Sequence, residues 1–269
     1  MGEVELALSA SAWPEDEFVR GLAGISEAGF RAMEARASVV PEYEDRVLVF
    51  QEMLQREGVT LAAVGFQLRP ITLETMEEEI ERCANVARFL RANRSELLVL
   101  RPPPRRLEGE DLEDWKLAID AMNQVGRRTI DLDVRTCISP WAGTICESRR
   151  EVDKLVDQTD PEFVRLCADL GFLAWAEMSA AHFFKRNASR IDYVRVHDVR
   201  KRRPRKGKPE APKPAVFGKG VVKISSLARL VDSIDYSGWV TVECPGTKED
   251  PVETCRAAGE TARHVLGLA

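Results

Sequence analysis

Four polar residues close short apolar runs in this chain. Asp169 ends the run Phe163 to Asp169, Arg195 and His197 lie in Tyr193 to Asp198, and Glu243 lies in Trp239 to Cys244. An unpaired carboxylate at an apolar strand end is costly, so one reading is an ion pair of Arg195 with Asp169 and Glu243. The same residue types can also do chemistry. Glu243 can take a proton beside a carbonyl, Arg195 can stabilise the resulting enolate oxygen, and His197 or Asp169 can return the proton. A guanidinium is a weaker Lewis acid than a metal, so such a reaction needs a comparatively acidic C–H. Other residues could bind a ligand. Trp13 and Trp141 can floor a pocket for a hydroxylated molecule, and Arg101 and Gln67 can contact its oxygens. Glu147 can enter as an acid or start the helix that follows it. His182 and His264 fall in helical segments, which leaves His197 as the histidine expected at a pocket rim.

These residues need a frame. Eight short runs rich in Val, Leu, Ile and Ala read as strands: Val4 to Ser9, Ala32 to Ala37, Thr60 to Phe66, Glu96 to Arg101, Val134 to Ser139, Phe163 to Asp169, Tyr193 to Asp198 and Trp239 to Cys244. Between them lie segments such as Met76 to Ala92 and Leu112 to Thr129, with apolar residues at intervals of three and four and charges on the other face. Strands with few alternating polar residues are buried on both faces, as in a parallel sheet covered by helices. Eight β/α units in 269 residues predict one (β/α)8 TIM barrel spanning the chain. The competing doubly wound sheet more often carries a Gly-x-Gly-x-x-Gly turn, which is absent.

Composition excludes several classes. No apolar run approaches the roughly 20 residues of a spanning helix, and Met1 to Glu5 lacks the features of a secretory signal. The expectation is therefore a cytoplasmic protein with no membrane partner. Six cysteines without a C-x-x-C pair read as buried thiols. The net charge of −5 argues against nucleic acid as a partner. One basic, proline-rich stretch, residues 200–214, follows the seventh strand and is expected as a loop on the C-terminal face, solvated or binding an anion or a partner surface.

With Leu6 to Trp13, Gly29 to Glu34, Thr144 to Glu147, Thr159-Asp160-Pro161, Gly220-Val221-Val222 and Gly238 to Glu243 in this order, the chain resembles the xylose-isomerase-like superfamily, especially its inosose dehydratase and sugar isomerase/epimerase branch. Leu6 to Trp13 is similar to its first strand with a Ser-Trp end, and Gly29-Phe30-Arg31-Ala32-Met33-Glu34 to its second unit. Thr144 to Glu147, Glu151 to Leu155 and Thr159-Asp160-Pro161 resemble its segment after strand five, and Gly220-Val221-Val222 and Gly238 to Glu243 its approach to strand eight and the strand itself. The resemblance implies a divalent metal (Mn, Mg, Co or Zn) at the ends of strands five to eight. It implies ligands at Asp169 and Glu243, but gives Phe172 for a histidine, Arg195 for the ligand histidine, His197 for a lysine, and Ser139-Pro140-Trp141 for His-Pro-His. It also makes Glu34 a residue that binds a hydroxyl or an arginine, and places Ser139 and Trp141 at the ligand.

Arginine cannot ligate a metal, so the expectation is a site without one, in which Arg195 takes the metal's electrostatic place by forking onto one or both of Asp169 and Glu243. Two carboxylates against one guanidinium leave a charge of −1. The leading expectation is a sugar or cyclitol isomerase, epimerase or dehydratase working by proton abstraction next to a carbonyl. The alternative is a non-catalytic barrel binding a small polyhydroxylated ligand or a protein partner. A homodimer is also possible. An endonuclease of the same superfamily would need more His and Glu ligands than three histidines allow.

Overall fold

In the computed structural model, residues 2–105, 112–201, 211–244 and 250–268 are described. Eight parallel strands close into one barrel in chain order. They are β1 (Val4–Ser9), β2 (Ala32–Arg36), β3 (Thr60–Gln67), β4 (Leu97–Arg101), β5 (Arg135–Ile138), β6 (Val164–Asp169), β7 (Ile191–Val196) and β8 (Gly238–Val242). The helices are α1 (Phe18–Glu27), α2 (Val39–Tyr43), α3 (Val47–Glu57), α4 (Met76–Ala92), α5 (Leu112–Ile130), α6 (Arg149–Gln158), α7 (Leu170–Trp175), α8 (Ala180–Arg186), α9 (Leu227–Asp232) and α10 (Pro251–Leu266). This is the (β/α)8 barrel expected from the alternation. The longer helices follow strands and bury one stripe against them, as α4 does with Ile80, Cys83, Ala84, Ala87 and Leu90.

Side chains alternate between the two faces of a strand, so every second residue points into the barrel. Low in the barrel the inward row is small or apolar: Ala63, Leu97, Val99, Cys137 and Cys167 pack together with Tyr193. Higher up the row turns polar. Two residues beyond Tyr193 comes Arg195, two beyond Cys167 comes Asp169, and two beyond Thr241 comes Glu243. The fold thus delivers its polar side chains to the C-terminal strand ends, the face where this architecture does its chemistry. All six cysteines are free and buried, and no described helix is long and apolar enough to cross a membrane.

Candidate active site

Arg195 rises from β7 into the middle of the strand ends, where its side chain is 3% exposed. Its Nη2 lies 2.7 Å from Glu34 Oε1. Nη1 donates to Ser139 Oγ at 3.3 Å and stands 3.7 Å from Asp169 Oδ2, and Nε is 3.8 Å from Glu243 Oε2. Both carboxylates expected beside Arg195 thus pair with it at longer range, while the hydrogen-bonded partner is Glu34, the residue expected to bind a hydroxyl or an arginine. The reason is the closed sheet, which brings β2 across the barrel interior to β7. Tyr193, one inward position below Arg195, donates its hydroxyl to Glu34 Oε2 at 2.8 Å and so fixes both oxygens of that carboxylate. Gly65 on β3 leaves room for Glu34, since a Cβ there would lie 3.2 Å from Oε1.

Burial by itself would discharge the guanidinium, but Glu34 foremost, with Glu243 and Asp169, pushes its pKa well above the ordinary arginine value. Burial also pushes the Tyr193 phenol well up, and Glu34 adds to this, so Tyr193 remains a donor.

Asp169 has a structural task as well. Its Oδ1 accepts the Phe172 N–H at 2.9 Å, capping α7. His197 Nε2 lies 3.0 Å from the same oxygen, although neither ring nitrogen makes an aligned hydrogen bond. Burial opposes the Asp169 charge, yet His197, Arg195 and the Phe172 N–H outweigh it and hold the carboxyl at about 2. Burial likewise opposes charge on His197, and Asp169 with Glu243 outweighs it, so the imidazole pKa is raised above 6.5. The ring rests on Gly171, where a Cβ would come within 2.2 Å of it. The rim position expected for His197 is corrected: the side chain is 2% exposed and sealed behind Arg195.

A cleft of about 360 Å³ opens over these residues, lined by Ser9, Ser11, Glu34, Arg36, Gln67, Arg101, Arg195 and Glu243 among others. Four of the expected residues thus meet there from β2, β3, β4 and β7, with Glu243 just beyond β8. Arg195 Nε, Glu243 Oε2 and Ser11 Oγ are buried without a hydrogen-bond partner among the described residues. Gln67 donates its amide N–H groups to the Pro102 and Leu68 carbonyls.

Trp141 lies behind this lining, its ring 5.4 Å from that of His197 and 4.5 Å below the Arg101 guanidinium. Ser139 reaches the site through Arg195. Two expected residues lie elsewhere. Trp13 packs on Gly21 and Gly24 of α1, where a Cβ would lie 3.3 and 2.5 Å away, and is outside the cleft lining. Glu147 accepts the Gly143 N–H at 2.9 Å and faces Arg105. The start of α6 belongs instead to Ser148 and Glu151, which form a capping box.

Arg36, Ser11 and Tyr193 were not singled out in the sequence. The signal for two of them was parity: Arg36 stands two residues beyond Glu34 and Tyr193 two before Arg195. The loop after β7 is anchored by the buried Asp198, which accepts the N–H groups of Val199, Gly220 and Val222 at 2.9, 2.7 and 3.0 Å. Of the expected basic loop, residues 202–210 lie outside the described residues, while Arg200 N–H donates to the Lys213 carbonyl at 2.8 Å.

A barrel in chain order with carboxylates gathered at the C-terminal strand ends defines a class, and comparison with known proteins makes it specific. A family model described as the xylose isomerase-like TIM barrel matches residues 22–265, and the chain belongs to that family. An inosose dehydratase from Geobacillus thermodenitrificans (strain NG80-2) is 24% identical, covering 99% of this chain and 98% of its own. The D-psicose 3-epimerase from Clostridium cellulolyticum H10, solved with D-tagatose, superposes with a TM-score of 0.79 at 15% identity, over 97% of this chain and 99% of its own. The IolI protein with a bound zinc atom gives a TM-score of 0.79 at 14% identity, over 98% of each chain. The chain stands among enzymes of the isomerase, epimerase and lyase kind. In this chain Asp169, His197 and Glu243 offer ligand atoms within 4.8 Å of one another, a group of the type that can hold a metal ion.

Proposed function

We propose that this protein abstracts a proton next to the carbonyl of a sugar or cyclitol, as an epimerase, isomerase or dehydratase, and does so without a divalent metal. One observation carries the reading. Glu243 Oε2 and Arg195 Nε, an acceptor and a donor without a hydrogen-bond partner among the described residues, stand 3.8 Å apart as an ion pair, and both residues line the cleft. A carbonyl oxygen placed against Nε–H would put the adjacent C–H near the Glu243 carboxylate. Glu243 then takes the proton, and the fixed positive charge of Arg195 stabilises the enolate oxygen as it forms. Glu34 and Tyr193 hold the guanidinium in place. The expected return of the proton by His197 or Asp169 is not adopted, because neither lines the cleft. In this reading they secure the charge behind Arg195.

The Asp169, His197 and Glu243 group does not suit a catalytic dication. A metal in this chemistry must face the substrate oxygens, whereas Asp169 and His197, unlike Arg195 and Glu243, are not among the residues that line the cleft. Asp169 Oδ2 and Glu243 Oε2 already face Arg195 at 3.7 and 3.8 Å, so a dication held by these two residues would be repelled by a guanidinium a few ångströms away.

Solvent deuterium exchange followed by NMR, with chelator-treated protein and a panel of ketoses and inososes, tests the proposal. Exchange beside the carbonyl is expected, with a loss of at least about 100-fold in Glu243→Gln. Exchange that depends on added Mn²⁺ or Zn²⁺ would overturn the metal-free reading. Tight ligand binding without exchange would overturn the catalytic one.

A further inference from the structure

Three arginines line the cleft, and they are not equally committed. Arg195 is spent on Glu34, Ser139, Asp169 and Glu243. Arg36 donates to the Ser11 carbonyl at 3.1 Å and stands 3.9 Å from Glu15. Arg101, at the end of β4, has no ion pair or hydrogen bond with any described residue. Among the described residues its guanidinium is held by its position 4.5 Å over the Trp141 ring. One face is thereby covered by indole, and no described residue takes the N–H groups along the edge of the fork. A cation placed this way in a cleft is completed by an anion.

We infer that the substrate carries a carboxylate that Arg101 grips at the far side of the cleft from Glu243; this rests on the proposed function, with the substrate narrowed to a sugar acid. The charge count favours a carboxylate over a phosphate ester. A dianionic phosphate is ordinarily met by several cations or by a helix N-terminus, and the other two arginines here are committed. A planar carboxylate matches one guanidinium fork. The topology sets the position of the carboxylate in the molecule. β4 and β8 stand four strands apart in a ring of eight, on opposite sides of the barrel. With the carbonyl at Arg195 and Glu243, the acid group belongs at the other end of the chain.

D-fructose, D-fructuronate and D-fructose 6-phosphate share a carbonyl at C2 and differ at C6, so calorimetric titration with each isolates the head group. D-fructuronate is expected to bind roughly ten- to hundredfold more tightly than D-fructose at low salt. Arg101→Met keeps an apolar stem over Trp141; it is expected to remove that advantage, read as the ratio of the two affinities. Equal binding of D-fructuronate and D-fructose by the wild-type protein overturns the inference, as does an advantage that survives in Arg101→Met. Tighter binding of D-fructose 6-phosphate overturns the choice of a carboxylate. The deuterium assay reports separately on the chemistry. A carboxylate preference without exchange keeps this inference and sinks the proposed reaction, while exchange on D-fructose without any preference does the reverse.

Discussion

Removing the guanidinium of Arg195 strands three carboxylates, and the size of the effect can be worked from the distances. At an effective dielectric of about 20, unit charges at the 2.7 Å of the Glu34 contact attract by about 6 kcal/mol, and at the 3.7 and 3.8 Å of Asp169 and Glu243 by about 4 kcal/mol each. Desolvation of the buried charges cancels most of this, and breaking one partner out of a buried pair costs about 3–5 kcal/mol in practice. Arg195→Met should therefore lower the thermal midpoint by about 10 °C. Arg195→His should fall less far in the presence of Mn²⁺, because an imidazole at this position joins Asp169 and Glu243 in a donor set free of the fixed cation. At a Mn²⁺ concentration 100 times the dissociation constant, the gain is about 2.7 kcal/mol. Thermal unfolding of both proteins with and without Mn²⁺ reads these effects directly. A wild-type midpoint that rises with Mn²⁺ as much as that of Arg195→His would refute the account of Arg195, and so would an Arg195→Met protein as stable as wild type.

The sealed layer behind Arg195 gives further expectations. Gly171→Ala would drive a methyl to within 2.2 Å of the His197 ring, and urea unfolding should show a loss of about 1–3 kcal/mol. His197 has a raised folded pKa, so the stability its charge contributes is complete below the unfolded value of 6.5 and fades as pH climbs through the higher folded value. Urea midpoints should fall over that range, and His197→Gln should flatten the profile. Asp169 runs the other way: held at about 2 against 3.8, its contribution is present above 3.8 and is lost as pH falls towards 2, a loss that acid titration of Asp169→Asn should no longer show.

The architecture was legible because burial on both strand faces and helical spacing between strands are local properties. β1 was read to the residue at both ends, and most other strand ends within one. The strand read as Tyr193 to Asp198 is displaced by two, because Asp198 turns its side chain onto the N–H groups of Val199, Gly220 and Val222 and draws the chain out of the ladder. The helix start at Ser148 was readable from its Ser-x-x-Glu spacing, although Glu147 was the residue considered. What the sequence hid was pairing. Glu34 and Arg195 are 161 positions apart, and only closure of the barrel makes them neighbours. A charge count based on Asp169, Glu243 and Arg195 came to −1. With Glu34 included, three carboxylates face one guanidinium, which leaves −2 until His197 takes up a proton.

That count also narrows the proposed chemistry. A dication with open coordination positions can hold two substrate oxygens at once. The guanidinium here offers less, because Nη2 bonds Glu34 and Nη1 faces Ser139 and Asp169; of its three nitrogens, Nε alone has no hydrogen-bond partner among the described residues. One donor stabilises charge on one oxygen. An enolate of that kind suffices for inversion at the neighbouring carbon or for loss of a β-hydroxyl, whereas exchange of an aldose with a ketose passes through an enediol whose two oxygens both need support. The expected products of a ketose substrate are thus its epimer or a dehydrated ketone, with solvent deuterium at the carbon attacked. Aldose accumulating in the same NMR experiment would mean that a second oxygen is held by some other group, and that the site works with more than Arg195.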